Sequence, residues 1–218
     1  MVDIQNAFVA SPPHLANQVN TTYTQVGIGT WVAPTGRIWV TQVFRKPLVY
    51  VPPAPVGFPV SSTLAPTVSA FAGVLVAPLG SEYAVPGGIE QDFQGGDVLW
   101  GPSTGGRVVQ GGIRDRYRAV AGPRSTLGLP VTNQGVAGDG AGRFNHFQQG
   151  TIVWTPSIGA RDVRGAIRDR WAATGWERGP IGCPITGEGV TGDGAGRFNH
   201  FQRGSIVWDA RTGQTRIV

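Results

Sequence analysis

The sequence predicts an α+β protein that is mainly β: a helical segment with a β-hairpin, followed by an array of three β units joined by short helices. Three observations carry this. With 34 Gly and 17 Pro in 218 residues, long helices are excluded and turns must be frequent. A hydrophobic content of 40% with seven Trp is too high for a disordered chain. The stretch GDGAGRFNHFQQGTIVW at 138–154 returns as GDGAGRFNHFQRGSIVW at 192–208, 54 residues later. A fixed period means that one supersecondary unit is used more than once.

At the N-terminus, Ile4, Phe8 and Val9 are spaced for one apolar helical face. Ser11 suits an N-cap and Pro12 the first helical position before a second short helix from His14 to Val19. Residues 26–32 and 37–44 are rich in β-branched and aromatic residues and flank Ala33-Pro34-Thr35-Gly36. Pro and Gly in that gap predict a tight turn, hence an antiparallel hairpin.

The order Ser11-Pro12-Pro13-His14-Leu15-Ala16-Asn17, then Val26-Gly27-Ile28-Gly29, then Trp39-Val40-Thr41-Gln42-Val43-Phe44 resembles the C-terminal half of a CAP-superfamily domain, the α-β-α sandwich of cysteine-rich secretory proteins. Pro13 and Leu15 depart from the bacterial pattern, which has Gly and Arg there. The resemblance implies that His14 is one of two His that, with two Glu, line a cleft able to hold a divalent cation. A metal site of this kind needs three or four ligands, and the others would lie upstream of Met1. His14 is therefore expected to be a remnant of that cleft with a structural or solvent-facing role. A secreted CAP-type hydrolase or metal-binding protein, its N-terminal half and leader missing from this chain, is the alternative functional reading.

Residues 47–66 hold six prolines and predict a semi-rigid, polyproline-like linker between a first domain at 1–46 and repeats at 67–218. The repeats divide into 67–110, a degenerate copy, then 111–164 and 165–218, the last two about half identical. The degenerate copy keeps Phe93, Gly96, Trp100, Pro102 and Gly105, each 54 residues before its counterpart, but shows no helix-like start. Three β units (75–100, 127–154, 181–208) joined by helical links (113–121, 167–173) are expected. The links have apolar residues at helical spacing, Ile113, Tyr117 and Val120, then Ile167 and Trp171, with Gly122 and Gly175 placed to end them. Such short helices must pack on the β units. Phe144 and Phe147 cannot share one face of a flat strand, so either both faces are covered or a bulge intervenes.

These motifs, Gly-x-Ile before the helix, Leu127-Gly128-Leu129-Pro130 and Ile181-Gly182-Cys183-Pro184, Asp-Gly-x-Gly-Arg-Phe, and Gly-x-Ile-Val-Trp, resemble the LGFP repeat of cell-surface proteins from mycolic-acid-bearing actinobacteria. The resemblance implies a role in holding proteins to the cell wall, hence an extracellular or wall location, with wall polysaccharide or glycolipid as the ligand. A protein partner is a reading that the sequence leaves beside it.

The candidate ligand-binding residues are Trp176, Asp139, Arg143, Asp193 and Arg197. Trp176 has Gly122 at the equivalent position and lies between Gly175 and Glu177, in a predicted loop, where it is expected to be the most exposed aromatic. The Asp139 and Asp193 loops are read as turns in which Gly supplies positive φ and Asp bonds backbone amides; a calcium site wants more oxygens than one carboxylate offers. His146 and His200 recur in identical context without a second ligand nearby, which favours a hydrogen-bonded structural imidazole. Trp100, Trp154 and Trp208 suit either a sugar-stacking platform or the core, and the core is expected.

The net charge is +5, and from Arg107 onward 15 Arg face 8 acidic residues. That excess favours anionic surfaces by steering, but the arginines are dispersed and no nucleic-acid motif is present. Cys183 is the only cysteine and takes the slot of Leu129, which predicts a small buried role. No apolar run reaches membrane-spanning length and Met1 is followed by no leader peptide. No nucleophile-base pair can be assembled from His14, His146 and His200. The sequence thus predicts a non-catalytic binding module with no metal and no cofactor.

Overall fold

In a computed structural model that describes residues 2–46, 57–138 and 140–218, the chain forms two compact units, Met1–Pro53 and Ala54–Val218. In the first, α1 (Val2–Val9) and α2 (Pro12–Gln18) precede β1 (Gln25–Val32) and β2 (Ile38–Arg45). Ser11 is the N-cap residue of α2, with Pro in its first turn. The two strands pair antiparallel with Trp31 opposite Trp39, through a turn in which Ala33 N–H donates to Arg37 O at 2.8 Å and Gly36 takes φ 80°. With only two strands and two short helices there is little to bury against. Trp31 and Trp39 stay 59% and 52% exposed. Gln5, Gln18 and Gln42 link the first helix, the second helix and the hairpin through their side-chain amides.

The second unit repeats one design three times. A helical element leads into a four-stranded antiparallel meander: α3 (Ala65–Ala70) and α4 (Ala72–Leu75) before β3 to β6 (Tyr83–Val85, Gly88–Asp92, Asp97–Gly101, Gly105–Val109), α5 (Gly111–Ala119) before β7 to β10 (Gly135–Val136, Arg143–Phe147, Gly150–Thr155, Gly159–Arg164), and α6 (Gly165–Ala173) before β11 to β14 (Gly189–Val190, Gly196–Phe201, Gly204–Asp209, Thr215–Ile217). The degenerate copy therefore does have a helical start, in place of the blank read from the sequence. It departs from the Ile-x-x-x-Tyr pattern of α5, yet Leu64, Val68, Phe71 and Leu75 pack into one core with Phe93, Val98 and Val108. The predicted linker also overlaps packed structure: Leu64 is fully buried and Pro59 O accepts a hydrogen bond from Gln91 Nε2. The rest of that linker, residues 47–56, lies outside the described residues.

Both faces of each central hairpin are used where a neighbour follows. In β8 and β9, Phe147 and Ile152 face the core under α5, with Ile113, Tyr117 and Leu127. Phe144 and Val153 face the next core, with Ile167, Trp171 and Phe201. Covered faces, not a bulge, thus resolve the spacing of Phe144 and Phe147: the ladder from Arg143↔Trp154 to Phe147↔Gly150 is regular. The second and third cores each draw on two adjacent units, so those units do not close alone.

Candidate functional site

The invariant parts of the repeat turn out to hold the units together. In Leu127-Gly128-Leu129-Pro130, Gly128 takes φ 70° and turns the chain so that Leu129 O and Leu127 O accept from Gln148 N and Gln149 N at 3.0 Å. Gly182 takes φ 76° and does the same for Cys183 O and Ile181 O with Gln202 N and Arg203 N. The aromatic residue of each link helix brings a polar handle to that turn: Tyr117 Oη donates to Gly128 O at 2.7 Å and Trp171 Nε1 to Gly182 O at 3.1 Å. Cys183 is buried in this turn.

The Asn of Arg-Phe-Asn-His-Phe, which sequence reasoning passed over, clamps one unit to the next. Asn145 Nδ2 donates to Val108 O and Thr132 O at 3.1 and 2.9 Å, and Asn199 Nδ2 to Asp162 O and Thr186 O at 3.0 and 3.1 Å. Gln91 takes the same position in the first unit, bonding Pro59 O and Gly80 O. A buried polar residue repeated in an apolar strand was the available signal.

His146 Nδ1 lies 2.8 Å from Thr151 Oγ1 and His200 Nδ1 2.7 Å from Ser205 Oγ, each joining cross-strand partners of its hairpin. Burial, then Arg168, hold the His146 imidazole below its usual range. His14 is exposed, 2.7 Å from Ser11 Oγ and edge-on to Phe8.

Of the predicted ligand-binding residues, Asp139 lies outside the described residues. Arg143 Nη1 spans the loop carbonyls of Gly142 at 2.8 Å and Ala141 at 3.2 Å. Asp193 Oδ1 accepts from Thr191 Oγ1 and Ala195 N, and Oδ2 from Arg211. The Thr191 bond first, then the Ala195 amide, hold its carboxyl below the usual range. Arg197 bonds Gly196 O at 3.0 Å and lies 3.9 Å from Glu188.

The expectation for Trp176 is corrected. It is half-buried, in a 3-10 turn (Trp176–Arg178), with its ring 5.3 Å from His146 and edge-on to Trp171 at 5.0 Å. Its backbone sits at φ 59°, a left-handed conformation unusual for a bulky side chain. The same turn reaches the preceding Asp-Gly loop: Glu177 accepts from Gly138 N and Arg178 donates to Gly138 O. Trp176 thus plugs the outer face of the preceding hairpin. Gly122 stands at the equivalent place one repeat earlier.

Where Gly122 provides no plug, the outer face of the first unit is polar. Glu90, Asp92 and Asp97 replace Phe144, His146 and Thr151. Asp97 is fully buried and bonded to Arg114 and Arg118, and Asp92 accepts from Tyr83 Oη at 3.0 Å. Burial, and then Asp97 and Asp92, push the Glu90 carboxyl up to about 7. This is the one grouping of potential metal ligands among the described residues, and Arg114 and Arg118 already neutralise it.

A further opening lies where the second unit meets the third. A groove of about 290 Å3 is lined by Arg164, Ile167, Glu188, Arg197, Gln149 and Trp208. Trp208, like Trp100 and Trp154, is partly buried against a core cluster; it also lines the groove.

Three copies of one helix-plus-meander unit make a modular array, and comparison with known families finds a repeat over the same residues. The LGFP repeat matches residues 75–125, 127–179 and 181–218. The chain belongs to the LGFP repeat family. These repeats are typical of cell-surface proteins and form a repeat module, not a catalytic family. The LGFP match does not extend to residues 1–74, and the CAP resemblance of residues 1–46 gains no support. No curated protein matches the chain. No helix among the described residues is long and apolar enough to cross a membrane.

Proposed function

We propose that the LGFP array is a non-catalytic module that holds this protein to polymer of the cell envelope, polysaccharide or glycolipid, outside the cell. The observation that carries the reading is the threefold LGFP repeat itself. Supporting it, the residues repeated most faithfully, the Gly turns, the Asn clamps and the His hairpin bonds, maintain the stack, while other positions vary between copies. That is the pattern of a scaffold presenting surface grooves, in which stacking creates an extended binding surface. The surplus of arginine in the second and third units adds long-range attraction to anionic envelope polymers.

The CAP-type hydrolase or metal protein has no independent support: residues 1–46 lie outside the LGFP match, and His14 lies against Ser11 and Phe8.

The test is co-sedimentation of the full chain with mycolic-acid-bearing cell walls across a salt series, with walls intact, stripped of lipid, and stripped of polysaccharide. The expected result is retention that survives lipid removal and is lost with the polysaccharide. A protein that stays in the supernatant at low salt would overturn the reading and direct attention to a protein partner.

A further inference from the structure

The two joints between repeats are built from equivalent positions, and they differ at several of them. At the first joint, the Gln110 and Gln134 side chains bond each other at 3.1 Å. The ring of Trp154 lies against Gly112, where a Cβ would meet Cδ1 at 2.6 Å and Nε1 at 2.8 Å. The joint is closed. Fifty-four residues later the same positions carry Arg164, Glu188, Trp208 and Ala166. Ala166 has the methyl group that Gly112 lacks, so Trp208 cannot seat on its helix as Trp154 does. Arg164 is bonded to other partners than Glu188: its Nε bonds Asp162 Oδ2 at 2.7 Å and its Nη1 bonds Thr126 Oγ1 at 3.0 Å. Asp162, buried and held also by Arg116, replaces Val108 of the first joint. These exchanges leave the groove of about 290 Å3.

The lining selects its ligand class. An apolar ligand would take Glu188, Arg164 and Arg197 out of water without new hydrogen bonds, at a cost that indole contact does not offset. A cation meets two guanidiniums in the wall, and an anion meets the Glu188 carboxylate. A neutral polyhydroxylated ring fits both demands: its C–H face covers the indole, and its hydroxyls donate to Glu188 and accept from Arg197, Arg164 and Gln149. The volume is at the small end for a ligand pocket, enough for about one sugar ring.

We propose that the groove at the second joint binds one neutral sugar residue, seated on Trp208 and hydrogen-bonded by Glu188 and Arg197. This rests on the envelope-polymer reading for the source of the sugar, but it is a separate claim about one site and one ligand class.

The experiment titrates the full chain calorimetrically with neutral oligosaccharides of two to four residues, of pentofuranose, hexofuranose and hexopyranose type, alongside uronic-acid oligomers. Trp208→Ala and Glu188→Gln are compared with wild type and with Gln134→Ala at the closed first joint. Thermal melting checks the fold, and Glu188→Gln, nearly isosteric, keeps the test available if Trp208→Ala unfolds. At least one neutral oligosaccharide should bind, tenfold or more weaker in each groove variant and unchanged in Gln134→Ala. Binding that is equal in folded groove variants, binding of the uronic-acid oligomers alone, or no oligosaccharide binding would overturn the proposal. If walls retain the protein but no neutral oligosaccharide binds in the groove, the groove inference falls and the envelope reading stands. If the oligosaccharide binds as expected but walls retain no protein, the envelope reading falls and the site stands.

Discussion

At the residue scale, the repeat exposes its own exceptions. Where the second and third units have Gly128 and Gly182, the first has Val76, held at φ 64° and ψ −88°, a conformation costly for a β-branched residue. Its side chain is 67% exposed, so little packing offsets that strain. Val76→Gly should stabilise the protein by about 1 kcal/mol, the relief of strain exceeding the extra chain entropy of glycine, and a rise in the thermal midpoint measures it. An unchanged or lower midpoint would show that the turn carries no strain. Trp176 is the converse case, a large side chain at the left-handed position that Gly122 fills one repeat earlier. Sequence alone suggested exposure, since a lone Trp between Gly and Glu reads as a loop; the plug became visible only with the facing His146 and Trp171.

At the scale of elements, the central hairpin of each repeat and the helices at 111–119 and 165–173 were legible, because period, turn glycines and β-branched strands are local signals, while the last strand of each sheet lay beyond the units read from the sequence. The helical start of the first repeat, α3 and α4, was missed for a definite reason. It was sought by likeness to Ile113 and Tyr117, whereas its own face, Leu64, Val68, Phe71 and Leu75, satisfies helical spacing with different residues. The Asn clamps were missed because their partners are carbonyls of another element. Asn145→Ala would leave Val108 O and Thr132 O buried without that donor, and should cost about 2–3 kcal/mol. Amide exchange should rise in β6 and β8 together, since the clamp spans both. Loss confined to β8 would argue against a role in the joint.

For the whole molecule, the balance of buried carboxyls sets a pH dependence. Glu90 is raised to about 7 by burial and by Asp97 and Asp92, and burial also raises Glu188. A folded-state value above the unfolded one means that the folded form holds its proton more tightly. The contribution is fully present below the unfolded value of about 4.5 and is lost as pH rises through the folded value near 7. Denaturant titrations of the full chain should therefore give greater stability at pH 5 than at pH 8, with Glu90 supplying up to roughly 3 kcal/mol of the difference. Glu90→Gln should flatten the profile and stabilise the protein at pH 8; a profile with the opposite slope, or one that the substitution leaves intact, would refute the assignment. By itself the sequence determined the repeat, its period, its β character and its turns, because these follow from interactions between residues close in the chain. Only the tertiary structure decided which faces are covered, that Trp176 is a plug, and that one joint closes on Gly112 while the other stands open beside Ala166. A single methyl group has no meaning in the sequence until the ring it displaces is brought against it from 42 residues away, as Trp208 is to Ala166.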